Sequence, residues 1–430
     1  MPSTLHNLNR ALLHSKTARS ATWMLHGQGI QLAAQFAYFV LVAHLLGPTG
    51  FGTFVACTAA VNVLAPFSSW GSAQMVMKYV SRDTSALPVC FGNAILISVA
   101  SGLIWTVLLL LARPVLLPAP VTPSMLAAVA IADLICTQLS PVCSQAYLAL
   151  DRARKAANVL IMAAVLRLLA ALLLLTSAAS PERWAQLYLA AAAFTAIYQI
   201  VAISRATSAP RVQLNLILPT LREGFHFATS ITAQTVYDNI DKTMLARMSS
   251  VEAAAIYAVA YRFVDAAMLP VRALAAATYA EFFRKGENGV TSTFAFARRI
   301  LRRSVLYGLV TTLMLFAASG LLPLVMGKGY LLSASALRLL CPLPLIKSVH
   351  SFLSDTLTGA NYQWERSTVQ IGVAAFNIFI NLWLIRAYSW RGASWSSLAT
   401  DSLLMIALYA IIRRHLRREG PAARLAVEIS

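Results

Sequence analysis

The stretch TVYDNIDKTMLARM, Thr235 to Met248, sets Asp238, Asp241 and Lys242 inside an otherwise apolar, helix-length segment. At the centre of a membrane helix such groups cost about 2.5–3.5 kcal/mol each on insertion scales, so they survive where they pair, hold an ion or line a wet passage. Asp238 and Lys242 are spaced i, i+4, and Arg262 and Asp265 i, i+3, so each pair can meet along one helix face. Arg272, Lys347 and Arg167 have no partner evident in the sequence. They are the cations expected to bind an anion, the arginines in bidentate fashion. Asp238, Asp241 and Asp265 are candidates for holding a proton or cation. Plainer roles stand beside these. Asp238 and Lys242 serve equally as a structural pair, Arg338 as a snorkelling side chain, and Asp133, Asp401 and Arg167 as interhelical polar contacts. His350 reads as a satisfied polar residue. Asn377 and Asn381, at i and i+4, read as hydrogen bonds across helices.

Uncharged polar residues add a second pattern. Gln28, Gln31, Gln35 and Tyr38 recur at i, i+3, i+7 and i+10, which makes one helical stripe. Arg262, Asp265 and Arg272 form another, interrupted by Pro270, where a kink is expected. With Asn62 and Gln234, these side chains are candidates for polar faces on a central cleft.

The elements that carry them are membrane helices. The chain of 430 residues is 58% hydrophobic and only 12% charged, with a mean hydropathy of +0.67, whereas a soluble domain has about a quarter of its residues charged. Helix-length apolar segments fall near 21–46, 51–79, 90–117, 124–150, 156–179, 182–204, 219–248, 251–283, 298–326, 333–360, 365–388 and 391–414. These predict an all-α polytopic membrane protein of about twelve transmembrane helices. They lack the alternating polarity of a β-barrel. The net charge of +19 lies between the apolar segments rather than in one face, which argues against nucleic acid. Twenty-three lysines and arginines, among them Arg152, Arg154, Lys155, Arg298, Arg299, Arg302 and Arg303, fall on the side bearing both termini. Six fall opposite: Arg113, Arg183, Arg247, Lys328, Arg386 and Arg391. Both termini are therefore expected in the cytoplasm. The basic start, with Leu5, Leu8 and Leu12 on one face, reads as a short interfacial helix rather than a cleaved signal. Five scattered cysteines suggest neither a disulfide framework nor a metal site.

The helices divide six and six: an N-terminal lobe over 1–204, a cytoplasmic linker over 205–218 and a C-terminal lobe over 219–430. At an offset of 203 residues, Gln31 falls on Gln234, Gln35 on Asp238, Asn62 on Asp265, Ser69 on Arg272 and Arg82 on Lys285. Six helices per half gives a parallel repeat, with the first two helices of each half presenting matching polar faces to a central cleft.

No phosphate loop, H-E-x-x-H or nucleophile elbow occurs. GPTGFG follows no strand and reads as a turn between the first two helices. The order and spacing of four segments do carry a resemblance: HLLGPTGFGTFVACTAAVNVLAPFSSWGSAQMVMKYVSRD, NIDKTMLARMSSVEAAAIYAVAYRF, VMGKGYLLSASALRLL and NIFINLWLIRAYSWRGASWSSLAT. Together they resemble the O-antigen and exopolysaccharide repeat-unit flippases of the multidrug/oligosaccharidyl-lipid/polysaccharide exporter superfamily. Gly329 and Arg247 depart from the common pattern in the loops. The resemblance implies two six-helix lobes forming a V around a central cavity, alternating access, and a polyprenyl-pyrophosphate-linked oligosaccharide as substrate in a bacterial inner membrane. Arg272, Arg262, Lys242, Lys347 and Arg167 would then face the pyrophosphate, and Gln31, Gln35, Asn62 and Gln234 the saccharide. Such a carrier needs no cofactor and would work as a monomer beside a polymerase and chain-length or export machinery. Its energy would come from a proton, a cation, the membrane potential or the product sink. A cation-coupled multidrug exporter of the same superfamily is the first alternative. A membrane glycan polymerase or ligase is the second, although it would carry a sizeable external loop and none is present.

Overall fold

A computed structural model describes the backbone of residues 16–176 and 178–419. Within that range the side chains of 16–22, 25, 226, 227, 229–238, 276 and 280 are not described. The expected interfacial helix around Leu5, Leu8 and Leu12 lies outside the described residues.

The described chain is helical throughout, with no strand. α1 runs over Lys16–Ser69 and is broken at Gly47 (φ 65°, ψ 177°). Glycine enters that region without steric cost, and Pro48 follows it, so GPTGFG is the expected turn. A second break falls inside the second expected span. Trp70 (φ 46°) and Gly71 (φ 66°) are both left-handed, and α2 restarts over Ser72–Val80. The Trp70 indole N–H donates to Ser101 Oγ at 3.0 Å, which holds the unusual turn in place.

α3 (Leu87–Leu116) follows. α4 (Pro123–Ala130) leads into a π-helical turn, Ile131–Cys136, and then α5 (Thr137–Ala149). α6 (Ala153–Leu173) and α7 (Pro181–Ala206) complete the first six spans. Hydroxyl caps followed by proline start two of these helices. Thr122 Oγ1 accepts from the Met125 N–H at 3.3 Å and Ser180 Oγ from the Arg183 N–H at 3.1 Å.

α8 covers Ile217–Met248. α9 (Val251–Ala267) and α10 (Leu269–Gly286) are bent by 43° where Pro270 enters, the kink expected from the sequence. α11 (Gly289–Ala318) leads to the short α12 (Leu322–Met326). α13 (Leu331–Leu340) and α14 (Leu343–Gly359) make a second bent span. α15 (Gln363–Arg418) contains two helices divided at Ser389 (φ 54°).

Among the described residues, seven helices are long and apolar enough to cross a membrane, or up to nine when each bent pair counts once. Division of α1 at Gly47 and α15 at Ser389 adds two. α8, a more polar helix of 32 residues, brings the total among the described residues to twelve. Large apolar side chains are exposed along the spans, such as Leu111 at 73% and Leu313 at 71%, as lipid contact requires. The chain is a multi-pass membrane protein.

Two compact units are present, Met1–Thr243 and Met244–Ser430. All but the end of α8 therefore groups with the first unit. The core of the first includes Phe91, Val142, Cys143, Tyr147 and Ala156. That of the second includes Leu353, Leu357, Val373, Leu404 and Leu408.

Candidate functional site

Each unit encloses a cluster of charged side chains. In the first, the π-helical turn carries Asp133 inward, where it is 6% exposed. The Tyr188 hydroxyl on α7 donates to Asp133 Oδ1 at 2.6 Å, and Thr137 Oγ1 lies 3.4 Å from the same oxygen. Arg167 on α6 places Nη2 4.0 Å from Asp133 and donates to Thr137 Oγ1 at 2.7 Å. Its guanidinium lies 5.0 Å from the Tyr188 ring centroid, and Tyr38, from the glutamine stripe, lies close enough to act on it.

In the second unit, Lys347 on α14 is 9% exposed. Its ammonium donates to the Tyr261 hydroxyl of α9 and lies 4.0 Å from Asp401 Oδ2 of α15. His350, one turn along α14, meets Asp401 Oδ1 at 3.2 Å. Beside this cluster the two halves of α15 are joined by amides. Asn377 donates to Ser396 Oγ at 3.3 Å and Thr400 Oγ1 at 3.0 Å, and Asn381 donates to Asn377 Oδ1 at 3.0 Å. The cross-helix bonds expected of the asparagine pair are made by Asn377, whereas the Asn381 bond stays within the first half of α15.

Arg167, Lys347 and Arg272, read from the sequence as cations without partners, each have one. Arg167 faces Asp133 and Lys347 faces Asp401. Arg272 lies 3.3 Å from Asp265 across the α9–α10 bend. The first two pairs join residues 34 and 54 positions apart, which no local spacing rule reaches. The Arg272–Asp265 pair differs in being open to solvent, with side chains 61% and 37% exposed. Arg338, expected to snorkel, donates to Ser319 Oγ at 2.9 Å.

The remaining candidates are spread over both units. Gln31 and Gln35 are half-buried on the first part of α1, and Arg262 is half-buried on α9. Asp241 is buried near the end of α8 and accepts from the Lys242 N–H at 2.7 Å. The side chains of Gln234 and Asp238 lie outside the described residues. Asn62 lines a pocket of about 310 Å³ in the first unit, together with Ser69, Gln74, Gln138 and Asn239. Gln138 is fixed there by a hydrogen bond from Nε2 to the Asp133 carbonyl at 3.0 Å. Sequence reasoning singled out Asn62 alone. Gln138, five residues past Asp133, and Asn239, next to Asp238, carried a signal in their nearness to intramembrane charges.

A pocket rimmed by four amides and a hydroxyl offers both donors and acceptors. It suits a sugar better than a compact ion. The clusters suit a structural or exchange role, since their charges already have counter-charges.

Comparison with known proteins agrees with this architecture. Among solved structures, an inward-facing multidrug resistance MATE family transporter of the MOP superfamily matches at a TM-score of 0.70 and 15% identity, covering 90% of this chain and 95% of that one. A MATE structure in complex with MaL6 matches at a TM-score of 0.60 and 14% identity over 94% and 96%. A MOP superfamily transporter from Pyrococcus furiosus, described by the reverse polarity of its binding pocket, matches at 0.58 and 14% over 93% and 95%. At such identities the likeness establishes the fold: two lobes of membrane helices, as in MATE transporters. No curated protein matches in sequence. The family model described as polysaccharide biosynthesis protein matches residues 17–282, well over half of the chain. The chain belongs to the polysaccharide biosynthesis protein family and has the fold of a MOP superfamily transporter.

Proposed function

We propose that this transporter flips a polyprenyl-pyrophosphate-linked oligosaccharide repeat unit from the cytoplasmic to the outer leaflet of a bacterial inner membrane, with both termini cytoplasmic. The product feeds a surface or extracellular polysaccharide. The family match over residues 17–282 carries the reading, and the amide-rimmed pocket at Asn62 supports it, because hydroxyls need donors and acceptors in equal measure. The pyrophosphate is met by cations with solvent access, Arg272 first, then Arg262 and Lys242. Arg167 and Lys347 reach an anion only by leaving Asp133 and Asp401, so they act as exchange partners or as struts. Gln31, Gln35 and Gln234 extend the hydrogen-bonding surface. Asp238, Asp241 and Asp265 are the groups for a coupling proton or cation.

The multidrug exporter is the second reading, favoured by the MATE structures among the neighbours. Purified protein in proteoliposomes separates the two. The proposed function requires transfer of a polyprenyl-pyrophosphate-linked saccharide between leaflets, above the rate of empty vesicles. Transport of a cationic dye with no movement of the glycolipid would replace it with the second.

A further inference from the structure

The linker between the two halves, read from the sequence as a simple connection, is strapped to the start of α3. The Arg211 N–H donates to the Pro88 carbonyl at 2.8 Å. The Gln213 N–H donates to Asn93 Oδ1 at 2.9 Å, and Asn93 Nδ2 returns a bond to the Gln213 carbonyl at 3.2 Å. Asn93 is 3% exposed, so its amide is committed to the linker backbone on both sides. Gly92 makes this approach feasible, since a Cβ there would sit 2.3 Å from the Arg211 carbonyl oxygen.

Beneath the strap lies a pocket of about 390 Å³, within the ~300–1,000 Å³ of ligand sites. Met75, Val89, Cys90, Ala94, Leu216 and Pro219 give it an apolar wall. Its mouth is basic. Lys78 and the Tyr79 hydroxyl both engage Glu223, and Arg82 lies close enough to act on that carboxylate. Arg222 lines an adjoining cavity that shares Pro219. Arg82, Arg211 and Arg222 are exposed. An apolar pocket alone gives no preference over lipid, which is equally apolar. The arginines supply the preference, and it is for a chain that ends in a phosphate.

We infer that this pocket receives the first isoprene units of the polyprenyl pyrophosphate, with its phosphates at Arg82 and Arg222, before the glycolipid is translocated. The inference rests on the flippase reading and adds to it a docking site that lies apart from the amide pocket. The strap makes the pocket a fixed feature, and Arg82 and Arg222 give the anion its position.

Cys90 provides the test. In a variant whose other cysteines are replaced by alanine, Cys90 alkylation by a maleimide is followed in phosphatidylcholine nanodiscs with farnesyl pyrophosphate, farnesol, inorganic pyrophosphate or phosphatidylglycerol. Farnesyl pyrophosphate slows alkylation several-fold, farnesol less, and pyrophosphate not at all. Arg82→Gln with Arg222→Gln removes the advantage of farnesyl pyrophosphate over farnesol. In parallel, direct binding of radiolabelled farnesyl pyrophosphate falls several-fold in Val89→Phe, which fills the pocket while the protein elutes as a folded particle. Unchanged binding in Val89→Phe, no protection of Cys90, or equal protection by phosphatidylglycerol would each overturn the site. Glycolipid flipping without protection would remove this pocket and leave the transport reading standing. Protection without flipping would do the reverse.

Discussion

The two buried charge clusters are built from different chemistry. In the first unit Asp133 faces an arginine, which keeps its charge at any pH a cell meets. Tyr188 and Thr137 occupy the carboxylate as well, and the π-helical turn fixes the aspartate in place. In the second, Asp401 is shared between Lys347 and His350, two groups able to release a proton. Tyr261 holds the lysine from the other side. The first cluster is a strut that locks α5, α6 and α7 together. The second has cations that can exchange, so an incoming anion or proton has something to displace. Against both stands the exposed Arg272–Asp265 pair, which is easily opened because water solvates either partner.

The largest effect should come from breaking the first cluster. Arg167→Met strands the Asp133 charge and lowers stability by about 3–5 kcal/mol, read by thermal unfolding in detergent. Asp133→Asn combined with Arg167→Met restores most of the loss. If the double variant is no better than the single, the strut reading fails. In the second cluster Lys347→Met costs less, about 1–3 kcal/mol, because His350 still serves Asp401. Lys347→Met with His350→Ala removes both partners of Asp401 and exceeds either single change. Simple additivity of the two would show that they do not share the aspartate.

Asn377→Ala removes two amide bonds between the halves of α15 and a third from Asn381 within the first half, and a loss of about 1–3 kcal/mol follows in the same assay. Glu419, outside the membrane spans, gives a smaller effect of about 1 kcal/mol on substitution by glutamine. Burial pushes its carboxyl up. Bonds from the Thr291 hydroxyl and the Val290 and Thr291 N–H groups outweigh that and hold it below its ordinary 4.5. The cap it forms on α11 is therefore complete above pH 4.5 and lost as pH falls through the lower folded value. Wild type and Glu419→Gln should converge in acid.

The sequence revealed the helices well and their contacts poorly. Twelve apolar segments, the Gly47 turn and the Pro270 bend follow from composition and from two residues with restricted backbones. The Trp70–Gly71 break was hidden because its anchor, Ser101, lies 31 positions away. The same distance problem concealed the carboxylates of Arg167 and Lys347. Local pairing rules reach three or four residues, whereas helix packing sets these partners tens of residues apart. Asn62 was found because the overlay of the two halves sets it on Asp265, and Gln74, Gln138 and Asn239 were not, because three separate helices bring them to it.

Arg272 separates structural charge from working charge most directly. Arg272→Ala should leave stability within about 0.5 kcal/mol of wild type, as expected for an exposed pair. The decisive measurement is glycolipid flipping in proteoliposomes, normalised to folded protein, for Arg272→Ala beside the Asp133→Asn, Arg167→Met double variant. The account predicts that Arg272→Ala is stable and inactive, while the double variant retains most of its flipping. Full flipping by Arg272→Ala together with an inactive but folded double variant would contradict it.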